Sequence, residues 1–127
     1  MKLEFFQDGL ERPIILLYAG SRVEVDALRR EVRSLANSEV HQVVIHQLPF
    51  IVSIEGCSLI AVANAQDLGI LQAQNLPVFT WALQPSSWDN VEGLLEPFSE
   101  PPTSQERFQF LNPAGGPEVI YSTGRYW

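Results

Sequence analysis

Residues 14–36 constrain the fold more than any other stretch of this chain. A solid apolar run, "IILLY", passes through Ala19, Gly20 and Ser21 into "RVEVDALRREVRSLA". Apolar residues without alternation describe a strand covered on both faces. Beyond the turn, Val25, Leu28, Val32 and Leu35 recur at spacings of three and four and form one stripe of a helix over 22–37. Ser21 stands three residues before Glu24, the reciprocal spacing of a capping box. Glu24 and Asp26 occupy the first turn, and Arg29, Arg30 and Arg33 follow, the order a helix dipole favours. The segment "VHQVVIHQL", from Val40, reads as the next strand. A strand-helix-strand unit then places strands 14–18 and 40–48 in parallel through a right-handed crossover.

Strand, tight turn and helix N-terminus is also the geometry of phosphate sites. A phosphate cradle needs several glycines, so that successive amides converge, and usually a lysine. Here Gly20 stands alone, no lysine is near, and acidic side chains occupy the mouth of the helix. The turn caps a helix.

The flanking segments extend a sheet. "LEFFQDGLERPIILLY" predicts a first hairpin, with Asp8-Gly9 supplying positive φ angles and Pro13 at the start of the second strand. "FIVSIEGCSLIAVAN" reads as two strands across a Glu55-Gly56 turn, and "LGILQAQNLPVFTWALQ" as a second pair turning at 75–77. Pro85 opens another helix, over 85–97, whose buried stripe is Trp88, Val91, Leu95 and Phe98, with Leu94 beside it, and Pro97 closes it. "RFQFLN" and "EVIYS" form a last hairpin around "PAGGP". The expected fold is a single α+β domain over 1–127: a mostly antiparallel sheet of about seven to nine short strands, one strand-helix-strand unit near the N-terminus, and two helices packed on the sheet. A chain of 127 residues can bury a self-sufficient core.

The opening residues lack a continuous apolar segment of the secretory type, and no apolar run is long enough to cross a bilayer. The single Cys57 cannot form an internal disulfide. Together these point to a soluble protein of the cytoplasm.

Charge is unevenly placed. Residues 1–39 hold six basic and seven acidic side chains, yet no Lys or Arg occurs from residue 34 to residue 106, where Glu39, Glu55, Asp67, Asp89, Glu92, Glu96, Glu100 and Glu106 lie. The net charge of −7 has the wrong sign for nucleic acid, whose affinity rests on basic side chains displacing counterions. It suits a basic protein partner, or else serves solubility alone.

Few residue patterns carry chemistry. Positions five apart on a regular strand face opposite ways, so His41 and His46 cannot share a metal. Cys57 has no cation nearby to lower its pKa and reads as a buried structural cysteine. No serine lies in a nucleophile-elbow pattern. Asp89, Glu92 and Glu96 sit at spacings that share one helix face, read as lying opposite the apolar stripe. That face is either solvated or a docking stripe for cations, and carboxylates alone make a weak metal signal. Trp81 and Trp88 belong to the core by their patterning, whereas Tyr126 and Trp127 at the chain end either dock within the molecule or anchor a partner.

The leading expectation is a non-catalytic binding or regulatory module that meets a basic protein through Asp89, Glu92, Glu96, Tyr126 and Trp127, with no cofactor, metal, nucleic acid or membrane. The first alternative is an enzyme or small-ligand protein whose pocket between sheet and helix gathers His46, Glu55, Cys57 and Asp67. The second is a homo-oligomer joined through its sheet or aromatic tail.

Overall fold

The computed structural model describes residues 1–7, 12–75, 77–100 and 107–124. Its elements in chain order are β1 (Lys2–Phe6), β2 (Ile14–Tyr18), α1 (Arg22–Ala36), β3 (Gln42–Val44), β4 (Val52–Ser53), β5 (Ser58–Ala63), β6 (Gly69–Gln72), β7 (Val78–Leu83), α2 (Pro85–Leu95), β8 (Phe108–Phe110) and β9 (Glu118–Ser122). Short 3₁₀ turns occupy Ile45–Gln47 and Glu96–Ser99. The class is α+β, with two helices and nine strands among the described residues.

The strands form two sheets. The first runs β4-β1-β2-β9-β8 and the second β3-β5-β7-β6. In the first, β1 is antiparallel to β2, with Lys2 opposite Tyr18, and β8 is antiparallel to β9, with Phe108 opposite Ser122. The pairs β1–β4 and β2–β9 are parallel. In the second, β3–β5 and β6–β7 are antiparallel and β5–β7 is parallel. Both sheets are therefore mixed.

Four expectations change, the first being that the single, mostly antiparallel sheet is two mixed sheets with three parallel pairs among the described strands. β2 and β3 are not parallel neighbours: they lie in different sheets, α1 carries the chain from one to the other, and β2 finds its parallel neighbour in β9 instead. The expected strand 40–48 is regular only over Gln42–Val44 before it tightens into a 3₁₀ turn. Glu55 and Gly56 do make the tight turn, at φ 51° and 73°, but the strands flanking it diverge, β4 to β1 and β5 to β7. Other readings hold closely. The hairpin pairings of β1 with β2, β6 with β7 and β8 with β9 form, Pro13 immediately precedes β2, and Pro85 opens α2. The Asp8-Gly9 turn lies outside the described residues.

One apolar core joins both sheets to both helices. From the first sheet come Leu3, Ile15, Leu17, Val119 and Tyr121, and from the second Leu59, Ala61, Phe79, Trp81 and Leu83. The stripes Val25-Leu28-Val32-Leu35 of α1 and Trp88-Val91-Leu95 of α2 fill the space beside them. Ring contacts stitch the layers: Phe5 to Phe79 at 4.8 Å, Trp81 to Trp88 at 4.7 Å, and Phe98 to Tyr121 at 4.8 Å. On the opposite face of the first sheet, Ile14, Leu16, Tyr18 and Ile120 form a second buried cluster. Burial on both faces explains why "IILLY" carries no polar position.

Candidate functional site

The mouth of α1 is occupied by the chain itself. Ser21 Oγ accepts from Glu24 N at 3.2 Å, and Glu24 Oε1 accepts from Ser21 N at 2.8 Å. Glu24 Oε2 accepts from the Met1 ammonium at 3.0 Å, and the same ammonium donates to Phe50 O at 3.0 Å. The Ser21 amide and the ammonium hold the Glu24 carboxyl below its ordinary range. Met1 and Tyr121 pack closely on Gly20: a Cβ there would lie 2.7 Å from Met1 Cε and 3.2 Å from the Tyr121 hydroxyl. With a carboxylate already seated at these donors, the turn is a cap and not an anion cradle.

The four residues expected around a pocket have separate employments. His46 sits on the 3₁₀ turn after β3, where its Nδ1 accepts from Leu59 N at 3.0 Å. Cys57 is fully buried, and burial first, with the charge of Glu4 second, pushes its thiol up to about 12. Asp67 serves α2: Gln84, the N-cap residue, offers no side-chain cap, and Asp67 accepts from Gln84 N and from Ser87 Oγ, each at 2.8 Å. Of the four, Glu55 alone lines a cleft of about 250 Å³, beside Glu4, Phe5, Gln7, Ile54 and Pro77. The four do not converge on that cleft.

The acidic stripe on the second helix also breaks up. Glu92 lies four residues after Trp88 and three before Leu95, at the border of the buried stripe, and α1 packs against that border. Its Oε1 accepts from Arg29 Nε at 3.0 Å, Arg29 Nη2 at 2.7 Å and Arg33 Nη2 at 2.8 Å. Arg29 completes its shell with Ser99 Oγ at 2.7 Å. The Arg29 and Glu92 side chains are only 13% and 15% exposed, so this pair bridges the helices rather than facing a partner. Burial alone would raise the Glu92 pKa, but hydrogen bonds from Arg33 and Arg29 outweigh it and hold the carboxyl below its ordinary range. Asp89 and Glu96 do face solvent, and no cation pairs with either among the described residues. Tyr126 and Trp127 lie outside the described residues.

One feature escaped the sequence reading. Arg107, the first cation after residue 33, precedes the edge strand β8 and lines a cavity of about 400 Å³ with Pro97, Phe98, Phe108 and Gln109. Its guanidinium lies 5.1 Å from the Phe98 ring centroid and donates through Nη2 to Pro97 O at 3.2 Å. The signal available was a lone arginine directly before the alternation Phe108-Gln109-Phe110, ending a long stretch with no positive charge.

No family model, curated protein or solved structure matches this chain.

The chemistry open to these residues therefore rests on their own geometry. Among the described residues, no three His, Cys, Asp or Glu side chains gather closely enough to hold a metal ion. No helix among them is long and apolar enough to cross a membrane. The described residues present exposed carboxylates at Asp89, Glu96 and Glu100, and a cavity lined by an arginine and two phenylalanines beside the edge strand β8.

Proposed function

We propose that this protein is a non-catalytic binding module that meets a positively charged protein partner through the carboxylates it leaves in solvent. The observation that carries the reading is on and just beyond α2. Glu92 is withdrawn into the helix interface, while Asp89, Glu96 and Glu100 remain exposed with no cationic partner among the described residues. Such carboxylates, on a chain of net charge −7, steer a basic surface toward the molecule. Tyr126 and Trp127 are the aromatic anchors this proposal adds, since buried aromatics carry much of the energy of protein interfaces. The alternative of an enzyme or ligand pocket built on His46, Glu55, Cys57 and Asp67 has less support, because each is tied to a different place in the fold.

The test uses immobilised full-length protein to capture a partner, followed by kinetics with that partner purified. The expected partner is basic, and its association rate falls steeply with added salt. The combined substitution of Asp89→Asn, Glu96→Gln and Glu100→Gln slows association about tenfold. Self-association alone in light scattering, or a partner whose on-rate ignores both salt and these substitutions, overturns the reading.

A further inference from the structure

We propose that the cavity beside Arg107 is a binding site for an organic carboxylate with an aromatic body. An arginine stays protonated at every pH the fold survives, so its charge and its five donors need acceptors or water. Arg29, Arg30 and Arg33 each have a carboxylate within ion-pair distance. Arg107 has none among the described residues, although this chain carries 15 acidic side chains against 8 basic ones. Its Nε is buried and finds no acceptor among the described residues. Among the described residues, its guanidinium makes one hydrogen bond, from Nη2 to Pro97 O, and its central carbon lies 5.1 Å from the Phe98 ring centroid. A guanidinium fixed this way is preorganised for a planar oxyanion, which it can take through two parallel N–H groups.

The walls select the rest of the ligand. Phe98, Phe108 and Pro97 are apolar, and Phe108 is 48% exposed, an aromatic surface that a ligand ring would cover. About 400 Å³ is within the range of small-molecule sites. Net charge argues in the same direction: a protein at −7 repels multivalent anions such as phosphate, whereas a monoanion gains from burying its ring what it loses to that field. The carboxylate could belong to a free aryl acid or to the C-terminus of a peptide ending in phenylalanine. The cavity adjoins the proposed partner-binding carboxylates, since Glu96 directly precedes Pro97 and Glu100 lies two residues after Phe98, but its ligand is recognised by Arg107 and does not depend on that partner.

Titration of the full chain with 3-phenylpropionate, followed by NMR of backbone amides and of the arginine Nε–H signals, tests this. The expected result is saturable binding, with shifts centred on residues 97–98 and 107–109 and a displaced Arg107 Nε–H resonance. The neutral amide of the same acid and inorganic phosphate should each bind at least tenfold more weakly. Arg107→Gln should weaken binding at least tenfold, Arg107→Lys should recover only part of it, and Phe108→Ala, at a half-exposed position, should weaken it with the fold intact. An acetylated peptide with a free C-terminal phenylalanine identifies the source: tighter binding than the free acid assigns a peptide terminus, and weaker binding a small metabolite. Binding of the amide as tight as that of the acid, shifts elsewhere, or no saturation by either carboxylate overturns the proposal.

Discussion

Cys57 shows how completely a residue's surroundings set its chemistry. A free thiol ionises near 8.5, whereas burial and the nearby Glu4 charge push this one up to about 12. Because the folded pKa is the higher one, this group's contribution to stability is full below about pH 8.5 and fades as pH climbs toward 12. At pH 8 a thiol reagent should therefore label the native protein at least ~100-fold more slowly than the protein in concentrated guanidinium, and rapid stoichiometric labelling of the native state would refute the burial. Gly69 and Gly93 make the opposite point about identical residues. Gly69 has φ +78°, and a Cβ on it would stand 2.1 Å from Gly115 O, where β6 meets the last hairpin. Gly93, on α2, has nothing within 4 Å of that position. Gly69→Ala should cost about 2–4 kcal/mol in denaturant unfolding, while Gly93→Ala should add about 0.5–1 kcal/mol through helix propensity. Burial of Cys57 was readable from its expected place on an apolar strand and the usual burial of a free cysteine, and its low reactivity from the lack of nearby cations. The difference between the glycines was not, because it depends on a carbonyl 46 positions away in the chain (Gly69 to Gly115).

At the level of elements, the helices divide into what is local and what is shared. The start of α1 is local: Ser21 and Glu24 exchange hydrogen bonds within one turn, as their spacing predicts, and the helix stops at Asn37. Ser21→Ala should cost about 1 kcal/mol by circular dichroism melting. The position of α2 is shared. Asp67, remote in sequence, supplies its N-terminal acceptors, and Glu92 joins it to Arg29 and Arg33 of α1. Removing the Glu92 charge leaves Arg29 largely buried without its partner, so Glu92→Gln should cost about 1–3 kcal/mol at pH 7. The folded pKa of Glu92 is lowered, so its contribution is present above the unfolded value of about 4.3 and is lost as pH falls through the folded one. The stability gap between Glu92→Gln and the parent should accordingly narrow as pH falls below about 4.3, and a gap independent of pH would remove the ion pair as its cause. The helical periodicity of 85–97 was legible, but the side of the stripe on which Glu92 falls was misread. Periodicity reports which positions are apolar, and a charged residue at the stripe's border looks solvent-facing until a second helix supplies its arginines.

For the molecule as a whole, the decisive fact is that two mixed sheets close on one core with both helices. The sheets are also tied through the segment between β8 and β9, where Gly115 O accepts from Ile70 N at 2.9 Å and Asn112 Oδ1 from Trp81 Nε1 at 3.3 Å. Unfolding should therefore be a single event: in a Trp127→Phe background, indole fluorescence from Trp81 and Trp88, which reports the second sheet and α2, and far-ultraviolet circular dichroism, which reports both sheets, should give superimposable urea transitions. Two separated midpoints would show that the sheets are independent. Nearly every element was present in the chain's own patterning, from the doubly buried Ile14–Tyr18 to the hairpin of 108–122, because burial of a face leaves its period in the residues that form it. Which strand lies beside which did not follow. α1 reads the same whether it returns the chain to the strand it left or hands it to a second sheet, and β2 meets β9 only because the end of the chain comes back. Arg107 stands in the same relation to its cavity: one arginine was visible in the sequence, but the Phe98 face, the Pro97 carbonyl and the absence of a described carboxylate are properties of segments brought together. Periodicity is a local record of burial, whereas neighbours are chosen by packing over the whole chain, and only folding writes the second.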